Sequence, residues 1–221
     1  MKIKKVVLIV LLGIFSAFAA TAQDLSFNLS VTTPKSTEPM RMKVFVSGMK
    51  VAMQPENMGT PGAMTILVDN SAGKQYVLMN ANGQKMAMAV NLNDVQKSTD
   101  IAKEPKVTLT KETRVIDGYK CTRVITETDD QKTDLWITQD VGMQYADFYK
   151  MFNASKGPQG AMMKIPELKN VKGFPVEIVS TDKKKGETLT LKIQNISKAK
   201  VDQKLFSLEG YTLMDAGKMT R

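Results

Sequence analysis

Leu25-Ser26-Phe27-Asn28-Leu29-Ser30-Val31-Thr32 sets the pattern by which the rest of the chain can be read. Apolar and polar residues alternate without a break, the period of a strand with one buried face and one wet face. Working outward, Met40, Met42, Val44 and Val46 alternate with Arg41 and Lys43 in the same way. After Ser47-Gly48 the apolar positions change parity, to Met49, Val51 and Met53. A parity switch around a glycine predicts a tight hairpin, with a bulge at Gly48 as the other solution.

The alternation continues along the chain. Residues 63–68 predict a strand that ends in the turn cluster Asp69-Asn70-Ser71-Ala72-Gly73. Tyr76 to Met79, the turn Asn80-Ala81-Asn82-Gly83, and then Met86, Met88 and Val90 complete a first meander. Residues 91–105 are polar and predict a loop with at most one helical turn. Val107 to Val115 runs into Asp117-Gly118, a strong two-residue hairpin signal, and Tyr119 to Thr126 and Thr133 to Thr138 follow. Val141, Tyr145, Phe148 and Phe152 recur at helical spacing, which predicts a helix over 143–153. Residues 153–160 are a Gly/Pro/Ser loop, and 161–168 predict a short turn or helix interrupted by Pro166. Phe174 to Ser180 and Thr188 to Ile193 form a last hairpin, and a tail with Val201, Leu205, Phe206 and Tyr211 ends polar. The fold class expected is mainly β (α+β), an extensive antiparallel sheet with one or two short helices.

The first 22 residues are read as an address. Lys2, Lys4 and Lys5 precede the apolar run Val6 to Phe15, and Ala20-Thr21-Ala22 offers a small-x-small cleavage site before Gln23. That order is a secretory signal peptide, and the apolar run is short for a membrane span. The expectation is a periplasmic or secreted protein whose residues 23–221 form one β-rich domain.

Composition removes several function classes. The 221 residues contain no histidine and one cysteine, with 31 Lys+Arg against 22 Asp+Glu and a formal charge of +9. The commonest general base and metal ligand is therefore missing, as are any internal disulfide and CxxC redox site. Cys121 lies mid-strand and reads as a small structural hydrophobe. Asp129-Asp130 and Asp182 sit in turns, without the partner carboxylate that glycoside hydrolysis requires. No GxSxG, P-loop or GxGxxG motif is present. No catalytic residue, metal or cofactor is assigned. The lysines are spread over loops and strand faces without aromatic interleaving, which excludes nucleic acid as a partner. Lys183-Lys184-Lys185 reads as a solvated hairpin tip, and the basic excess allows peripheral contact with an anionic membrane surface.

Sixteen methionines stand out, with Met40-x-Met42, Met86-x-Met88 and the pair Met162-Met163. Thioethers are soft ligands suited to Cu(I), but only where three converge. In a strand, positions i and i+2 share a face, so the same spacing describes ordinary core. A methionine-lined surface can also mould itself around apolar ligands.

Four stretches carry a resemblance. They are Ile116-Asp117-Gly118-Tyr119-Lys120-Cys121, Asp134-Leu135-Trp136-Ile137-Thr138, Gly173-Phe174-Pro175-Val176, and Val201-Asp202 with Leu205-Phe206-x-Leu208-x-Gly210-Tyr211. They resemble an exported bacterial family of unknown function, similar in strand order to the LolA/LolB-type periplasmic lipoprotein carriers. The resemblance implies a strongly curved antiparallel sheet or half-barrel, closed by helices over an apolar cavity. Helix 143–153 and segment 161–168 fall where the closing elements would lie. It implies no catalytic residues. The function expected is non-enzymatic binding of a lipid, acyl chain or lipidated peptide. Trp136, Met143, Phe148, Met151, Phe152, Met162, Met163 and Phe174 are the expected cavity lining. The alternative is an envelope protein–protein interaction or structural module without a small ligand.

Overall fold

The computed structural model describes residues 24–36, 38–56, 63–81, 83–92, 104–153, 165, 167–168 and 171–215. In chain order the described strands are β1 (Leu25–Thr32), β2 (Met40–Ser47), β3 (Lys50–Pro55), β4 (Met64–Asp69), β5 (Lys74–Ala81) and β6 (Gln84–Asn91). They continue as β7 (Lys106–Ile116), β8 (Tyr119–Glu127), β9 (Gln131–Thr138), β10 (Phe174–Asp182), β11 (Thr188–Ser197) and β12 (Thr212–Asp215). One helix, α1 (Tyr145–Asn153), lies between β9 and β10, and a 3₁₀ turn (Gln203–Phe206) precedes β12.

All these strands belong to one curved sheet that does not close, in the order β12-β6-β5-β4-β3-β2-β1-β11-β10-β9-β8-β7. Two meanders, β1–β6 and β7–β11, are joined where β1 pairs antiparallel with β11. The curved antiparallel sheet expected from the sequence is therefore the architecture observed.

The turns follow their chemistry. Ser47 pairs with Lys50 across a two-residue turn, so the hairpin at Gly48 (φ 59°) forms, and Met49 stands exposed in the turn rather than on a strand face. Ile116 pairs with Tyr119 across Asp117 (φ 49°) and Gly118 (φ 82°), the two positive φ values that an Asp-Gly hairpin supplies. The carboxylate of Asp117 accepts a hydrogen bond from the Asn195 amide at 2.7 Å, so this hairpin tip is tied to β11.

The sheet has two unequal faces. On the inner face Leu25, Phe27, Leu29 and Val31 of β1 join Val44, Ile66, Val124, Leu135 and Ile178 in one buried cluster, and α1 packs into it. On the outer face a smaller cluster of Ala52, Leu67, Leu78 and Ala87 is covered by Val201 and Phe206. That cover is anchored by Asp202, whose side chain accepts from the Lys204 amide at 3.0 Å. It is anchored also by Asp24, which accepts from the Val201 amide at 2.9 Å.

Two expectations are revised, and others fall largely outside the described residues. The polar tail contributes β12, which runs parallel to β6 in the register Thr212↔Met86 to Asp215↔Ala89. Four residues carry too little alternation to announce a strand, and their partner lies far away in the chain. The helix starts at Tyr145, two residues later than its periodicity suggested, and Met143 precedes it. Of the 161–168 segment only Ile165, Glu167 and Leu168 lie within the described residues; Ile165 and Leu168 are buried in the inner cluster. The expected signal peptide and most of the 91–105 loop lie outside the described residues.

Candidate apolar site on the inner face

The site is built where α1 meets the sheet. Its helical spacing turns Tyr145, Phe148, Met151 and Phe152 to the sheet, and all four are buried. Phe148 is the centre of an aromatic cluster. Its ring lies 4.6 Å from Phe152 and 5.6 Å, edge-on, from Phe174 at the start of β10, measured between centroids. Phe174 in turn meets Phe27 of β1 edge-on at 5.6 Å. Such edge-to-face contacts add to the area each ring removes from water.

Helix and strand are also held together by hydrogen bonds. The Gly173 amide donates to the Gln144 side chain at 2.9 Å, and the Phe148 amide donates to the Gln144 carbonyl at 3.1 Å. Gln144 thus ties the first turn of α1 to the entry of β10. Gly173 is forced to be glycine, because with φ 99° an added Cβ would lie 2.5 Å from the Thr138 carbonyl oxygen.

The structure brings Phe148, Met151, Phe152 and Phe174 together in the buried cluster, and Met143 packs against it half-buried. Met162 and Met163 lie outside the described residues. Trp136 must be corrected, because it stands on the outer face. Leu135 and Ile137 on either side are buried in the inner cluster, so strand alternation directs Trp136 away from it. The Arg114 guanidinium lies over its ring, 4.0 Å from the centroid, and pairs with Glu177. Beside them Arg123 bridges Asp134 (2.7 Å from Nε) and Glu112 (2.8 Å from Nη1), a cross-strand ion network.

Sequence reasoning passed over Phe27 and Tyr145 as site residues, although the alternation of β1 and the helical period placed both on the inner side. It also passed over the rest of the inner face. Leu78 and Ala87 belong to the outer cluster, so Val77, Met79, Met86, Met88 and Val90 of β5 and β6 point inward. All five are half-buried, so the apolar inner face continues beyond the part that α1 buries.

The site's chemistry is that of oil. Among the described residues the buried polar side chains are Thr65, Gln75, Thr126, Thr133, Thr138 and Ser180, none of them charged. No group of three or more carboxylates and thiols among the described residues could hold a metal. The one thiol, Cys121, is fully buried and donates to the Tyr119 carbonyl at 3.4 Å. Burial pushes its pKa up to about 11, which makes it a poor nucleophile at neutral pH.

Among solved structures, an uncharacterised conserved protein from Thermus thermophilus shares the fold. Its TM-score is 0.51 at 8% identity, covering 88% of this chain and 91% of that one. PNGF-II is similar at TM-score 0.46 and 16% identity over 89% of this chain, which spans only 32% of PNGF-II. A putative outer membrane lipoprotein-sorting protein domain from Vibrio parahaemolyticus is similar at TM-score 0.36 and 10% identity, over 84% of this chain and 89% of that one. No curated protein matches the sequence. The model of the domain of unknown function DUF4412 matches residues 26–210, and the chain belongs to that family.

Proposed function

We propose that this is a non-enzymatic periplasmic protein that binds an apolar ligand, namely a lipid, acyl chain or lipidated peptide, against the inner face of its curved sheet. The observation that carries the reading is the apolar surface left half-buried on β5 and β6 beside the fully buried aromatic cluster. The buried cluster of Phe148, Phe152, Phe174 and Met151 backs that surface as packed core, with the half-buried Met143 at its margin. Val77, Met79 and Met88 offer a mouldable floor. Each methylene moved from water onto such a surface gains about 0.8 kcal/mol, so a long acyl chain is held without any polar contact. The leader at residues 1–22 delivers the chain to a compartment where acyl chains need such a shelter.

The test is native mass spectrometry of protein purified gently from its own periplasm, with extraction of anything bound. A reproducible extra mass that resolves into acyl-containing species is the expected result. A bare mass that stays unchanged when lipid is offered would overturn the reading.

One observation favours the interaction-module alternative. Strand β7 is an eleven-residue edge strand whose Val107, Leu109 and Val115 are exposed. An unpaired edge of that length is a template for another strand, tempered here by Lys106, Lys111, Glu112 and Arg114 and by the register break between Leu109 and Thr113. Under this alternative the purified protein co-elutes with a defined envelope protein and takes up no lipid.

A further inference from the structure

Three methionines fall in one row across β4, β5 and β6. Met64 stands opposite Met79, and Met79 stands opposite Met86. Met64 packs on the inner cluster, and the outward direction of Leu78 and Ala87 puts Met79 and Met86 on the same inner face. Met88, two residues beyond Met86, shares that face. Its partner on the edge strand is Met214. Met64, Met79, Met86 and Met88 are all half-buried, so their thioethers are sheltered yet reachable from solvent.

Directly opposed side chains in a sheet have their Cβ atoms about 5 Å apart, and diagonal neighbours lie about 7–8 Å apart. Methionine adds three rotatable bonds through which its sulfur can swing. Met79 has Met64 on one side, Met86 on the other and Met88 on the diagonal. Three or more sulfurs are therefore able to meet above β5, which isolated core methionines cannot do.

We propose that Met64, Met79, Met86 and Met88 form an all-thioether site for a soft monovalent cation, Cu(I). Thioether sulfur selects Cu(I) over the harder divalent ions, which prefer imidazole and oxygen ligands. The chain contains no histidine, and Lys85 and Asn80 fall on the opposite parity of β6 and β5; Gln84, two residues before Met86, is a neutral amide on the same face, exposed at the start of β6. The ligands are neutral, so binding needs no deprotonation and should vary little with pH near neutrality. The proposal shares Met79 and Met88 with the floor of the apolar-ligand reading, but the two fail separately, because copper competition reads sulfur ligation and lipid extraction reads acyl uptake.

The experiment is anaerobic titration of the purified protein with Cu(I) in competition with the chelator bicinchoninate. The wild type should withhold one equivalent. The double variant M79L/M86L, which keeps apolar volume but removes two sulfurs, should bind at least tenfold more weakly, while M42L at a buried inner position keeps wild-type affinity. No withholding by the wild type, or equal withholding by M79L/M86L, would overturn the proposal. If the double variant does not fold by circular dichroism, X-ray absorption at the copper edge of the wild-type complex decides. A sulfur-only shell of three or four ligands supports the site, and nitrogen or oxygen in the shell refutes it.

Discussion

The Arg114 guanidinium sits 4.0 Å from the centroid of the Trp136 ring, on the face of the sheet that α1 does not cover. Arg114 belongs to β7 and Trp136 to β9, and the strand between them carries Cys121 opposite Arg114 in register. The cation is held over the ring by Glu177 of β10, so side chains from three strands lock the outer surface at this end of the sheet.

Trp136 is the single tryptophan of the chain, so its emission reports the outer face alone. An apolar ligand taken up on the inner face should leave intrinsic tryptophan fluorescence unchanged while an added apolar dye is displaced. Replacement of Arg114 by leucine should shift that emission and cost about 1 kcal/mol, the scale of an exposed cation–π contact, with ligand uptake intact. Urea denaturation alongside dye displacement checks both parts.

Phe148 touches Tyr145, Phe152 and Phe174 and has no exposed surface. Phe148→Ala should destabilise the protein by about 3–5 kcal/mol, the transfer loss plus a cavity that the surrounding rings cannot fill. Phe148→Leu should cost markedly less. Denaturant midpoints of the two variants, compared at equal slope, measure the difference.

Gly173→Ala should be destabilising by more than about 1 kcal/mol, against the usual benefit of replacing glycine. The added methyl meets the Thr138 carbonyl oxygen and Ile137, and an L-residue is strained at φ 99°. Because the Gly173 amide also bonds Gln144, the damage should spread to the start of α1. Faster amide exchange at Tyr145–Phe148 in the variant is the expected signature.

Asp24 gives a pH signature. The Val201 amide and then the Ser47 hydroxyl hold its carboxyl below the usual carboxylate value, with burial acting weakly in the other direction. A carboxylate depressed in the folded state stabilises above its unfolded pKa, and that contribution is lost as pH falls through the folded one. Asp24→Asn should therefore lower the urea midpoint at pH 7, and the gap to wild type should narrow as pH falls below about 4, the ordinary range for aspartate. A gap that is constant with pH would assign the loss to geometry instead of charge.

Most strands are legible because each is announced within a few residues. Alternation in β1 and β2, the Asp117-Gly118 turn and the apolar period of α1 are local signals, and the observed elements follow them. The candidate site is less legible. Period-2 alternation separates the two faces of a strand without saying which is inner. The bulk of Trp136 argues for burial, although Leu135 and Ile137 beside it share the opposite parity and take the inner face.

Local sequence sets most of the strands, their turns, the lack of histidine chemistry and the richness in methionine. The assembled sheet, and not any local stretch, pairs β1 with β11, adds β12 beside β6, and sets Met64, Met79 and Met86 in one row. A turn or an alternating face is set by neighbours in the chain, whereas register between distant strands is set by how all the apolar faces are buried together.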